Sequence, residues 1–422
     1  MKKLSLISSA LLVAASISFS VPSFAQVTLT DADRARIEER KNRRTTLPGE
    51  RVGRGVTRAL ELYNEEKVDE ALKILLEVRG GSDYDNAFLA RFIGTLYAQI
   101  GNTTEAIKYL EQALKPDVLS YSDHSASLKL VADLLLQAEK FNEAARNYEA
   151  LLRFTGENDP DVYLRIASAY VQTQQHAKAL PFVDAAIRYS RDPNKSHYLL
   201  KMGAHYELKQ YPKAIETAET MVQLFPEERQ YWVYLGQFYT LVEDYQKSLS
   251  TYQIAYANGF LESEADFRML GQLYANNSIP YKAASIYEKY LKSGKIKKDR
   301  TMLTAIASNY QAAREFAKAA QYYGELAALT NEAEAYRRQG MAFMAIQRYS
   351  DALKAFEATL ARDSSNAGRV HMSMAEAFLN QDKLREAYAS LQLAKRDSAT
   401  SRQATNYEGY VRERARIKGI TL

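Results

Sequence analysis

Few residues in this 422-residue chain are spaced for chemistry. The five histidines, His124, His176, His197, His205 and His371, are scattered along it. Only His197 and His205, eight apart, fall at a spacing that puts two side chains on one helix face. No carboxylate motif accompanies them, so two partly exposed histidines explain the pair better than a metal site. Cysteine is absent, which excludes disulfides, thiolate ligands and lipoprotein attachment. Ser293-Gly294-Lys295 lacks the upstream glycine of a phosphate loop, and neither G-x-G-x-x-G nor G-x-S-x-G occurs. Glu227 and Glu228 follow Pro226, where acidic residues open a helix rather than form an acid–base pair. No enzyme activity and no cofactor are expected.

Six cations, Arg91, Lys129, Arg165, Arg268, Arg337 and Arg338, are more orderly, because they hold one phase of an internal repeat. Small residues inside amphipathic segments mark that repeat: Ala71, Ala106, Ala144, Ala179, Ala214, Ser248, Ala283, Ala319, Ala352 and Ala387. Successive spacings are 35, 38, 35, 35, 34, 35, 36, 33 and 35. This matches the tetratricopeptide period of ~34 residues. Twelve before each small residue stands another, as at Gly94, Ala132, Ala167, Gly236, Gly271, Ala307, Gly340 and Ala375. Four after it stands a bulky one: Leu110, Tyr148, Val183, Tyr252, Tyr287, Tyr323, Phe356 or Leu391. Two helices that cross closely need a side chain no larger than methyl at the crossing, with aromatics filling the space around it. Such packing absorbs most of the 30 tyrosines. In the fifth unit Gly203 lies 11 rather than 12 before Ala214, so a rearranged inter-helix turn is expected there. Pro116, Pro160, Pro193 and Pro226 punctuate the junctions between units.

The expected fold is therefore all-α, a tetratricopeptide superhelical solenoid of about ten helix-turn-helix units over residues 56–399, with a capping helix and tail at 400–422. Ahead of it, residues 26–55 form a basic polar leader that is either a frayed helix or disordered. In this repeat class the first helix of each unit lines the concave surface. Positions 15 and 14 before the small residue face inward, and the six cations occupy them. Arginine presents a bidentate fork to carboxylates, so an acidic peptide segment is the expected ligand. Asp133 and Glu376 also face inward and could pair with the cations instead. Seven before the small residue, Asn64, Gln99, Gln137, Gln172, Glu207, Asn276 and Asn380 form a partial amide ladder, best read as solvating helix ends. The basic runs Arg34 to Arg58 and Lys292 to Arg300 read as solvated surface.

Several stretches are more specific than the repeat. They are R-T-T-L-P-G-E-R-V-G from Arg44, F-T-G-E-N-D-P from Phe154, L-F-P-E-E-R-Q-Y-W from Leu224, L-Y-A-N-N-S-I-P-Y-K-A-A from Leu273 and G-R-V-H-M-S-M-A-E-A from Gly368. They resemble the periplasmic tetratricopeptide proteins that accompany TonB–ExbB–ExbD systems in marine gammaproteobacteria. The resemblance implies an accessory role in TonB-dependent transport, with components of that complex as partners and no catalytic residues. Rival expectations keep the fold but assign it to envelope assembly, or to glycan binding by an aromatic-rich groove.

The formal charge of +5 is too small for an electrostatic nucleic-acid binder. Lys2 and Lys3, the apolar run Leu4 to Phe19 and Ser23-Phe24-Ala25 spell a cleaved signal peptide over residues 1–25. No later segment is apolar enough to span a membrane, so a periplasmic location is expected. The mature chain should then begin at Gln26 and be released by osmotic shock; amino-terminal sequencing of the released protein checks this, and full-length protein in the inner membrane would contradict it.

Overall fold

The computed structural model describes residues 29–43 and 46–422; the segment expected to be a signal peptide, residues 1–25, lies outside them. Among the described residues there are 22 helices and no strand. The chain divides into two compact units, residues 1–224 and 225–422.

In the first unit, α1 (Asp31–Lys41) precedes five antiparallel helix pairs. These are α2 (Glu50–Asn64) with α3 (Val68–Glu77), α4 (Asp83–Gln99) with α5 (Thr103–Leu114), and α6 (Tyr121–Gln137) with α7 (Phe141–Thr155). Next come α8 (Pro160–Gln172) with α9 (His176–Tyr189), and α10 (Lys195–Glu207) with α11 (Tyr211–Leu224). The second unit repeats the arrangement with α12 (Arg229–Leu241) and α13 (Tyr245–Ala257), α14 (Glu264–Asn276) and α15 (Pro280–Lys292), and α16 (Arg300–Ala312) and α17 (Phe316–Thr330). It ends with α18 (Ala333–Ala345) and α19 (Tyr349–Leu360), α20 (Ala367–Asn380) and α21 (Leu384–Ala394), and the single helix α22 (Ser401–Ile417). Side-chain caps fix many starts: Ser82, Ser120, Ser263 and Asp299 each accept the backbone N–H three residues on, at 2.7–3.1 Å. Pro160 and Pro280 sit in the first turns of α8 and α15, where no donor is lost. Pro160 thus opens a helix rather than lying between units.

The packing follows the spacing read from the sequence. All ten small residues, from Ala71 to Ala387, are 0% exposed. A Cβ added to Gly94 would lie 2.8 Å from Leu110, one on Gly236 2.5 Å from Tyr252, and one on Gly340 2.6 Å from Phe356. At Gly271 it would strike the Tyr287 ring. Each obstacle is the bulky residue four beyond the small one, and Tyr252, Tyr287 and Phe356 are themselves buried. The two positions are therefore one contact seen from both helices.

The turn inside each pair is equally regular. The residue five before the small one is left-handed in all ten units, with φ between 56° and 78°. The following N–H then closes on the carbonyl five residues back, at 2.8–3.0 Å, as in Lys140 to Leu135 and Glu315 to Tyr310. This six-to-one bond satisfies a carbonyl that the helix end would otherwise orphan. Only Gly101 is a glycine at that position; Glu66, Glu139, Gln174 and the rest are not. The fifth unit keeps the turn intact: Lys209 has φ 56°, and Gln210 N–H reaches the His205 carbonyl at 2.9 Å. The expected rearrangement is therefore wrong. Met202, 6% exposed, occupies the crossing position, and Gly203 sits on the surface with nothing near its absent Cβ.

The leader is ordered where it is described. Thr30 and Asp33 form a reciprocal capping box at the start of α1. Ile37 is buried, and its Cδ1 lies 2.9 Å from where a Cβ on Gly156 would stand. At the other end of the chain, α22 buries Ala404, Glu408, Val411 and Ala415 on one stripe. Lys395 and Arg412 hydrogen-bond the Glu408 carboxylate at 2.7 and 2.6 Å and hold its pKa down to about 2.

Gly236 and Gly203 make opposite predictions for one substitution. Gly236→Ala should destabilise by ~1–3 kcal/mol through overpacking against Tyr252. Gly203→Ala should stabilise by ~0.5–1 kcal/mol, because it only removes a flexible residue from a helix. Thermal melts followed by circular dichroism check the pair, and equal shifts would refute the assigned crossing.

Candidate functional site

The six cations expected in the groove lie on first helices, three in each unit. Five are engaged with carboxylates. In the first unit Arg91 of α4 reaches Asp123 of α6 at 2.7 Å, and Arg165 of α8 reaches Asp133 of α6 at 3.3 Å. Asp133 also accepts the Tyr148 hydroxyl, whose pKa rises through burial and that carboxylate. Lys129 is exposed, without a carboxylate partner among the described residues, beside a recess that includes Glu157 and Asp159. In the second unit Arg268 bonds Glu264 at 2.7 Å and Asp299, the cap of α16, at 3.1 Å. Arg337 grips Glu334 with both ends of its fork at 2.7 and 2.8 Å, and Arg338 reaches the same carboxylate at 2.8 Å. The hydrogen bond from Arg337, with Arg338 adding to it against partial burial, holds Glu334 at about 2. One carboxylate thus neutralises only one of two guanidinium groups.

The other expectations sort by position. Asn64, Gln99, Gln137, Gln172, Glu207, Asn276 and Asn380 are the last residues of their first helices. Asn380 spends its amide on the Glu376 carbonyl at 2.9 Å, as a residue solvating a helix end does. In the Lys292 to Arg300 run, Lys292 pairs with Glu288, Lys298 with Glu325 and Arg300 with Glu332. His197 and His205 are not partly exposed, as the sequence suggested; they are 1% and 6% exposed. His197 Nδ1 lies 3.3 Å from Ser190 Oγ, and His205 Nδ1 lies 2.9 Å from Gln210 Oε1. Burial depresses both pKa values. No metal-ligating cluster occurs among the described residues.

What the sequence reading passed over is methionine. Met269 stands 14 before Ala283 and Met372 15 before Ala387, the two positions that carry the arginines. Met341 lies one turn beyond Arg337, is 44% exposed, and touches Ser373 of the next first helix at 3.8 Å. Arg369, at the start of α20, is exposed and carries no ion pair among the described residues. The phase that singled out the cations would have found Met269 and Met372 had apolar residues been sought at it too.

Two arginines of the basic leader bond the repeats themselves. Arg40 Nε and Nη2 both donate to Asp117 Oδ2, at 3.1 and 2.6 Å, and its guanidinium lies 4.5 Å over the Phe154 ring. Arg43 donates to the backbone carbonyls of Asp117 and Leu119 at 2.5 and 3.2 Å. His124 stacks on Phe154 at 4.3 Å with Nδ1 3.7 Å from Asp117 Oδ1. Burial pushes His124 down to about 4, against the pull of Asp117. Burial raises the Asp117 carboxyl, but the hydrogen bond and charge of Arg40 outweigh it and hold the group below its usual range.

A model of the ChAPs family (Chs5p-Arf1p-binding proteins) matches residues 99–330, more than half of the chain. The tetratricopeptide-repeat model matches residues 304–367 and 337–402. The chain belongs to the tetratricopeptide-repeat family that these models describe. Among solved structures it is similar to a tetratricopeptide protein from Parabacteroides merdae, at 13% identity, covering 62% of this chain and 99% of that one, with a TM-score of 0.34. It is also similar to the C-terminal part of a repeat protein from Cytophaga hutchinsonii, at 16% identity over 65% and 97% of the two chains, TM-score 0.35. A third is the yeast Sti1 TPR2AB domain, solved as a complex with pHSP90, at 17% identity over 62% and 99%, TM-score 0.36. No curated protein matches. As in other members of its family, the repeats of this tetratricopeptide protein present surfaces suited to protein partners, and no helix among the described residues is long and apolar enough to cross a membrane.

Docking of α1 should depend on pH. Burial pushes His124 down, and the charges of Arg40 and Arg43 in and beside α1 push it further, so a chain with α1 released binds a proton at His124 more readily. Docking is therefore at full strength above pH 6.5 and weakens as pH falls toward 4. Asp117, lowered on docking, adds a loss only below its unperturbed 3.8. Hydrogen exchange of the Asp31–Lys41 amides, corrected for intrinsic rates, should quicken over this range; constant protection would refute the linkage.

Proposed function

We propose that the protein is a non-enzymatic periplasmic scaffold that binds partner proteins along its first helices, as an accessory of TonB-dependent outer-membrane transport. The observation that carries the binding surface is the second unit, where Met269 and Met372 share repeat positions with Arg268, Arg337 and Arg338, and exposed Met341 lies one turn beyond Arg337. Methionine is unbranched and polarizable, and adapts to apolar side chains of varied shape. The unneutralised guanidinium beside Glu334 and exposed Arg369 add a preference for anionic groups. A peptide alternating acidic and bulky apolar residues fits that mixture. The periplasmic assignment is supported by the signal sequence, and the TonB pathway by the sequence resemblance alone.

A photo-crosslinking residue at Met341 in intact cells tests the pathway. Adducts with TonB, ExbB, ExbD or a TonB-dependent receptor support it; adducts confined to cell-wall or outer-membrane assembly factors favour the envelope-assembly role instead. With the captured partner purified, Met341→Asp with Arg369→Glu should weaken binding at least tenfold, ~1.4 kcal/mol, and leave the circular dichroism spectrum unchanged. Unchanged affinity in the folded variant would move binding off this face.

A further inference from the structure

The fifth unit, where Met202 replaces the small residue, borders a cleft of about 420 Å³ between α9, α10 and α11. This is within the ~300–1,000 Å³ range of small-molecule sites. Its wall contains His205, which is 6% exposed. The Nδ1 atom of His205 faces Gln210 Oε1, an acceptor, so Nδ1 donates and Nε2 keeps a lone pair. Burial depresses the pKa of the ring, which favours its neutral form.

A second acceptor comes from the backbone. Pro181 lies inside α9 and has no N–H, so the Ala177 carbonyl four residues earlier loses its helical donor. Ala177 and Pro181 both line the cleft. Thr217 and Thr220 point the same way chemically: their hydroxyls donate to the Lys213 and Glu216 carbonyls at 2.8 and 2.9 Å, leaving oxygen lone pairs to accept. Charge is balanced. Lys201 and Asp184 pair at 2.8 Å, and Lys213 and Glu216 bring one charge of each sign.

An acceptor-rich wall with no net charge suits a ligand that donates many hydrogen bonds and carries no charge. Ammonium groups of Lys201 and Lys213 oppose a cation, and the two carboxylates oppose an anion. We infer that this cleft binds a small neutral polyhydroxylated molecule, a sugar of one or two rings. Its lining does not include Leu199 and Leu200, which occupy positions 15 and 14 before Ala214.

Saturation-transfer NMR and calorimetric titration of the mature chain decide the matter, with D-glucose, D-galactose and maltose as probes and ethanolamine and inorganic phosphate as charged comparators. At least one sugar should bind, and neither charged probe should compete with it. Pro181→Ala restores the N–H that occupies the Ala177 carbonyl, so it should weaken sugar binding about threefold or more without lowering the melting temperature. His205→Leu should weaken it further; if that variant fails to fold, Pro181→Ala alone decides. Absence of transfer from all three sugars, tighter binding of ethanolamine or phosphate, or sugar affinity unchanged in Pro181→Ala would each overturn the proposal.

Discussion

Everything in this molecule depends on how closely the two helices of a unit can approach. At Gly236 and Gly340 the second helix brings an aromatic ring so near that even a methyl group would collide with it. A close crossing turns one glycine or alanine into room for one tyrosine or phenylalanine, and the buried ring then supplies most of the apolar area that an isolated helix pair lacks. Crossings repeated in register explain why cores run continuously through successive pairs, as from Val233 to Ala342 in the second unit. Each pair also leaves apolar surface that only its neighbour can cover.

The surface charges are subordinate to this stacking. First helices of consecutive pairs lie side by side, and ion pairs such as Arg91–Asp123, Arg268–Asp299 and Arg300–Glu332 step from one to the next. Exposed pairs of this kind contribute little stability individually. Their larger consequence is chemical: a guanidinium already bonded to a carboxylate offers a weaker field to a ligand than a free one. Selectivity therefore lies with the residues that the stacking leaves unspent, among them Lys129, Arg369 and the second guanidinium beside Glu334.

Departures from the pattern carry the individuality of the chain. In the fifth unit the small residue is displaced by one position, which puts Met202 at the crossing and Gly203 on the surface. Pro181 interrupts the bonding of the neighbouring helix α9. Both changes spare the left-handed turn, so the unit keeps its place in the stack while its side-chain surroundings change. At the amino-terminal end, Arg40, Phe154, His124 and Asp117 form a contact absent from the repeat pattern, fixing a helix that the periodicity does not contain.

The sequence by itself determined the number of units, the phase of their crossings and the identity of the core, because a period of about 34 residues with small and bulky residues at fixed offsets admits one packing. Ala71 through Ala387 are buried as their spacing required. It also placed the six cations on first helices and the amides at helix ends. Only the tertiary structure decided what those cations bond. Glu334 is a local partner of Arg337 and Arg338, but Asp123 for Arg91 and Asp299 for Arg268 are more than 30 residues away in the next repeat, where no local rule pairs them. It decided the turns as well: a left-handed residue is legible when it is glycine, but here glutamate, glutamine, lysine and serine adopt that conformation because the helices on both sides hold it. The burial of His197 and His205 was settled in the same way, since burial depends on what stacks against a helix and not on the residues that compose it.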